Sequence, residues 1–60
     1  MANIYVQFQN ISGWNTVTIM DATSSSPQVI LMEMQSVKRM MQGARVRTVD
    51  ENDRLIDMLP

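Results

Sequence analysis

The sequence predicts an α+β fold: a four-stranded antiparallel sheet, β-β-α-β-β along the chain, with one helix packed on one face. Three observations predict it. Apolar and polar residues alternate from Ile4 to Gln9, and a Thr-, Val- and Ile-rich run follows after Asn10-Ile11-Ser12-Gly13. A serine run and Pro27 then open a segment with apolar residues at helical spacing. After Gly43, strand character returns and is broken once, at Glu51-Asn52-Asp53.

Each element follows from local chemistry. Strands are expected over about residues 3–9, 14–20, 44–50 and 54–59, with a helix over about 26–42, all within a single domain of residues 1–60. In the first strand Ile4, Val6 and Phe8 share one face, and Tyr5, Gln7 and Gln9 share the other. Asn10 and Gly13 suit a tight turn, so the first two strands read as a hairpin. In the second strand Val17 and Ile19 are assigned to the first face; Trp14, Thr16, Thr18 and Met20 are assigned to the second.

Pro27 fits a first helical turn, where its missing N–H has no intrahelical role, and either Ser25 or Ser26 can serve as N-cap. Gly43 is the expected left-handed residue that ends the helix, with Lys38 and Arg39 near its negative pole. At about 100° per residue, Val29, Ile30, Met34, Val37, Met40 and Met41 form one apolar stripe, with Glu33 inside it. Leu31 and Met32 fall outside this stripe. A three-residue loop, residues 51–53, closes the second hairpin and pairs Asp50 with Arg54, Val49 with Leu55, Thr48 with Ile56, Arg47 with Asp57 and Val46 with Met58.

One helix covers one side of such a sheet. The expected core is therefore Ile4, Val6, Phe8, Val17, Ile19, Val46, Ile56 and Met58 against the helix stripe. The opposite face collects Tyr5, Trp14, Met20, Arg45 and Arg47, together with Thr, Gln, Val49, Leu55, Asp57 and Leu59. That mixture of aromatics, Arg and apolar residues suits an interaction surface. Leu31 and Met32 are the candidate contact residues on the helix.

Composition narrows the function classes. The chain has 60 residues, no Cys and no His, which removes disulfides, the commonest transition-metal ligands and the commonest general base. Asp50-Glu51-Asn52-Asp53 is rich in oxygen ligands but lacks the twelve-residue loop of a calcium hand, and no Gly-rich phosphate loop exists. The expectation is a non-enzymatic protein without cofactor or metal. With five basic and six acidic residues the net charge is -1, which disfavours tight duplex-DNA binding. Residues 1–20 carry no charge at all.

A 60-residue chain buries only about 60% of its unfolded surface, so small domains commonly recruit a partner. The expected partner is the chain itself, as a homodimer or higher oligomer, together with another protein that it binds or sequesters as an inhibitor or accessory protein does. Two alternatives use the same sheet face: single-stranded nucleic acid stacking beside Tyr5 and Trp14, or a small anionic ligand held by Arg45 and Arg47. With no export signal and no long apolar run, the expected location is the cytoplasm, away from membrane.

Overall fold

The computed structural model describes residues 2–59. Along the chain lie β1 (Asn3–Asn10), β2 (Gly13–Asp21), α1 (Pro27–Met40), β3 (Val46–Val49) and β4 (Leu55–Leu59). The expected α+β class and element order hold. In space the strands run β2-β1-β3-β4 with every neighbouring pair antiparallel, so the helix carries the chain from one edge back to the centre.

Three turns use one device, a side-chain oxygen that accepts the backbone N–H two residues on. Asn10 Oδ1 takes the Ser12 N–H at 2.9 Å, Asp21 Oδ1 the Thr23 N–H at 2.9 Å, and Asp50 Oδ1 the Asn52 N–H at 2.8 Å. The Asp50 carboxylate also accepts the Arg54 N–H at 2.9 Å, which closes the expected three-residue loop and pairs Val49 with Leu55. Asp53 supplies the left-handed residue of that loop, at φ 61°.

The helix starts at the second of the two possible caps. Ser26 Oγ accepts the Val29 N–H at 3.2 Å, and Pro27 stands in the first turn. At the other end the Gly43 N–H reaches the Lys38 carbonyl at 2.8 Å and the Gln42 N–H reaches Arg39 at 3.2 Å, the paired bonds of a Schellman stop. The left-handed C′ position belongs to Gln42 (φ 57°), with Gly43 following at φ 83°. Gly43 therefore falls one place later than the sequence predicts.

Buried together are Ile4, Val6, Ile30, Met34, Val37 and Val46, with Phe8, Met20, Ala22, Met41 and Leu59 packed around them. Several expectations for the core are corrected here. Val17, Ile19 and Ile56 are exposed, and Met58 pairs with Arg47 on the far face. Thr18, Met20, Asp57 and Leu59 move the other way, to the helix side. On the helix, Ile30, Met34 and Val37 are buried and Met41 partly so, whereas Val29 and Met40 lie exposed beside the stripe.

Both sheet corrections have one cause. Val6 pairs with Thr18 and Gln7 with Thr16, which leaves Val17 as an extra residue. Thr48 pairs with Asp57 and Val49 with Leu55, which leaves Ile56 likewise. Each bulge advances the strand by one residue, and one residue reverses which face every later side chain occupies.

Thr48 is fully buried on the helix side, and its Oγ1 has no hydrogen-bond partner among the described residues. A buried, unpaired hydroxyl costs about 1–3 kcal/mol. Thr48→Val keeps the shape and removes that cost, so it should raise the unfolding free energy by about 1 kcal/mol in a urea titration. Gln42→Gly should add about 0.5–1 kcal/mol by the same measurement, because glycine enters the left-handed region without steric penalty.

Candidate interaction surface

The face away from the helix is built from rows that cross the strands. Nearest the β1–β2 turn, Trp14 pairs with Gln9, whose N–H reaches the Arg45 carbonyl at 2.9 Å. Next come Thr16, Gln7, Arg47 and Met58 in register. The third row is Ile19, Tyr5, Val49 and Leu55. At the far end Asp21 pairs with Asn3, whose N–H is held by Glu51 Oε1 at 3.1 Å.

The second row is a continuous polar array. Gln7 Nε2 donates to Thr16 Oγ1 at 3.1 Å, and Arg47 Nε donates to Gln7 Oε1 at 2.8 Å. The Arg47 guanidinium lies over the Trp14 ring, 4.2 Å from its centroid. A cation over an indole face is held by the ring quadrupole, and the Gln7 amide fixes the remaining freedom of the side chain. Arg47 is thus pre-organised on both sides.

Its expected neutralising neighbour is elsewhere. The sequence register sets Asp57 opposite Arg47, but the Ile56 bulge turns Asp57 to the Thr48 side, where Asp57 Oδ1 accepts its neighbour's Met58 N–H at 2.8 Å. Among the described residues no carboxylate pairs with Arg45 or Arg47. The face is basic at the Trp14 end, and it carries Asp21 and Glu51 at the other, with the aliphatic and tyrosyl third row between them.

Of the sequence-selected residues, Tyr5, Trp14, Arg45 and Arg47 share this face. Met20 does not: it pairs with Ile4 and packs on the core, a consequence of the Val17 bulge. Leu31 and Met32 are both exposed, as expected, but about 100° apart they leave the helix on opposite flanks. Sequence reasoning missed Ile19, 60% exposed on the open face. Its only available signal was the apolar pair Ile19-Met20, in which either residue could face the helix.

Other concavities and clusters offer less. An open cleft of about 220 Å³ lies between Ala2–Ile4, Ala22, residues 50–52 and Ile56. It is smaller than the ~300 Å³ at which small-molecule sites begin. Its Asp50 carboxylate is already committed to the turn. No group of three or more Asp and Glu residues among those described converges as metal ligands do, and none of the described helices is long and apolar enough to cross a membrane.

Comparison with protein-family models, curated proteins and solved structures finds no match to this chain. The site is therefore read from its own residues.

The turn carboxylates carry a pH dependence. The Arg54 backbone N–H holds the Asp50 pKa below its ordinary value; desolvation opposes it, and the Asn52 N–H and the Arg54 charge add smaller lowering effects. The Thr23 backbone N–H and hydroxyl do the same for Asp21. A carboxyl whose folded pKa is depressed contributes stability above the unfolded value, about 3.9, and loses it as pH falls through the folded value. Urea unfolding should therefore show stability falling below about pH 4, with a shallower fall in Asp50→Asn and shallower still in Asp21→Asn/Asp50→Asn.

Proposed function

We propose that the chain is a non-enzymatic interaction protein that works as an assembly and captures a protein partner on the sheet face away from the helix. One observation carries this reading: Arg47, stacked on Trp14 and braced by Gln7, stands on an uncovered face with no carboxylate partner within its own chain among the described residues. Arg, Trp and Tyr are the residues that dominate binding energy at protein interfaces. Pre-organisation lowers the entropy that binding costs. Beside this anchor, Ile19, Tyr5 and Leu55, packed around the buried Val49, supply apolar area that a protein surface can cover.

A second reading, single-stranded nucleic acid or a small anionic ligand, is favoured by the same unpaired arginines. It fits the rest of the face less well. One side of the Trp14 ring is occupied by the guanidinium, the third row is mostly aliphatic, and Asp21 and Glu51 close the far end with negative charge.

Affinity capture from the native host with three baits tests both. The wild-type bait should retain a defined protein that Trp14→Ala and Arg47→Ala retain roughly 30-fold less, the loss expected of an anchor worth about 2 kcal/mol. Equal retention by all three baits sinks the proposal. In parallel, oligothymidylate is titrated against Trp14 fluorescence. Quenching that weakens with salt transfers the surface to the nucleic-acid reading.

A further inference from the structure

We infer that two copies of this chain join edge to edge through β2, making one eight-stranded sheet with both helices on the same face. The inference rests on the reading of the chain as an assembling interaction protein, and it specifies the surface that assembles.

The two sheet edges are unlike. β4 is five residues long, bulged, and carries Asp57. β2 is nine residues long and has no charge from Gly13 to Met20. It is outermost in the sheet, so one side of its backbone lacks a strand. Charges and prolines commonly protect such strands; β2 has neither from Gly13 to Met20, its one charge, Asp21, stands at the very end, and the Val17 bulge is its one interruption. An uncharged strand also opposes no like charges when it pairs antiparallel with itself.

A second observation lies on the same side of the molecule. Glu33 Oε2 accepts the Thr18 hydroxyl at 3.1 Å, which shows that the Glu33 flank of the helix leans toward β2. That flank continues through Val29 and Met40, which are 48% and 60% exposed. A two-fold axis normal to the sheet at the β2 edge sets both helices on one face of the joined sheet, each with its Glu33 flank turned toward the seam. The one carboxylate there, Glu33, is already turned onto Thr18.

Register follows from the pleat. Because the Val17 bulge changes the phase within β2, the pairing that keeps faces matched on both sides sets Trp14, Asn15 and Thr16 of one copy against Asp21, Met20 and Ile19 of the other. This places the Asp21 carboxylate of each copy beside the other's Trp14, over which Arg47 lies. Opposite charges therefore meet twice across the seam. Isologous symmetry of this kind is the commonest among homo-oligomers.

Sedimentation and light scattering at high micromolar concentration test the seam. Wild type should run at twice the 6.9 kDa chain mass. Val17→Lys and Ile19→Lys on the edge strand should each give a monomer with an unchanged far-ultraviolet spectrum, whereas Leu31→Lys on the helix should remain dimeric. A monomeric wild type, or a dimer that survives both lysines, overturns the inference. Hydrogen exchange on the unmodified chain decides the case if a variant unfolds. Amides of residues 14–21 should exchange at least about tenfold more slowly at high than at low concentration, and no change rejects the seam. A monomer that still loses its partner on Arg47→Ala refutes the seam and leaves the capture surface standing. A dimer that is indifferent to Arg47→Ala does the reverse.

Discussion

Val6, Val46, Met34 and Val37 have no solvent exposure, and their packing fixes the helix across the two central strands, β1 and β3. Everything else follows from that placement. A 14-residue helix is about 21 Å long and about 10 Å wide, enough to seal two strands and not four. β2 and β4 are therefore held mainly by hydrogen bonding and by the partly buried Met20, Ala22 and Leu59. The sheet's other side receives no cover from α1. A hydrophobic centre this small leaves aromatic and aliphatic side chains outside it, and their arrangement there is what distinguishes the molecule.

The two bulges decide that arrangement. Without the extra residue at Val17, Ile19 would face the helix and Met20 the open side. Without the one at Ile56, Asp57 would stand against Arg47 and cancel its charge locally. With both present, flexible Met20 fills the irregular space beside Ile4, and Arg47 is left between Gln7, Trp14 and Met58. The same geometric defects that interrupt pairing therefore assemble a polar row flanked by an apolar one. Bulges at sheet edges commonly re-aim side chains in this way.

How much of this could be read from the sequence differs from element to element. The alternation of residues 4–9, the Asn10 and Asp50 turns, the serine cap with Pro27 and the helical stripe each specify local structure through one dominant interaction. The same is true of Tyr5, Trp14, Arg45 and Arg47 sharing a face, since all lie on the unshifted side of a bulge. Val17-Thr18-Ile19-Met20 and Leu55-Ile56-Asp57-Met58-Leu59 are different, because either phase of each presents apolar residues to the core. A pattern with period two cannot choose between them. The choice is made by packing against Met34 and Val46, contacts distant in sequence, and Met20, Leu59 and Asp57 are misassigned for that reason. At the helix end the ambiguity is smaller, between Gln42 and Gly43 as the left-handed residue, and hydrogen-bond geometry resolves it in favour of the residue with the higher steric cost.

The charge layout joins these local facts to the surface as a whole. Residues 1–20 are uncharged, yet the open face is strongly polar along the strands, with Arg45 and Arg47 at one end and Asp21 and Glu51 at the other. β1 and β2 supply the uncharged ground between these ends, and the second half of the chain supplies most of the ions. Within one copy the two ends are separated by the Ile19–Tyr5 row, too far apart for direct pairing. In the dimer we propose, two-fold symmetry at the β2 edge reverses the strand direction in the second copy and so sets unlike ends side by side. In that dimer an edge strand uncharged from Gly13 to Met20 is positioned by Asp21 at its own end and by the charges on the face it joins. Specific register, the property a featureless apolar edge lacks, comes from Asp21 and from the Trp14–Arg47 stack.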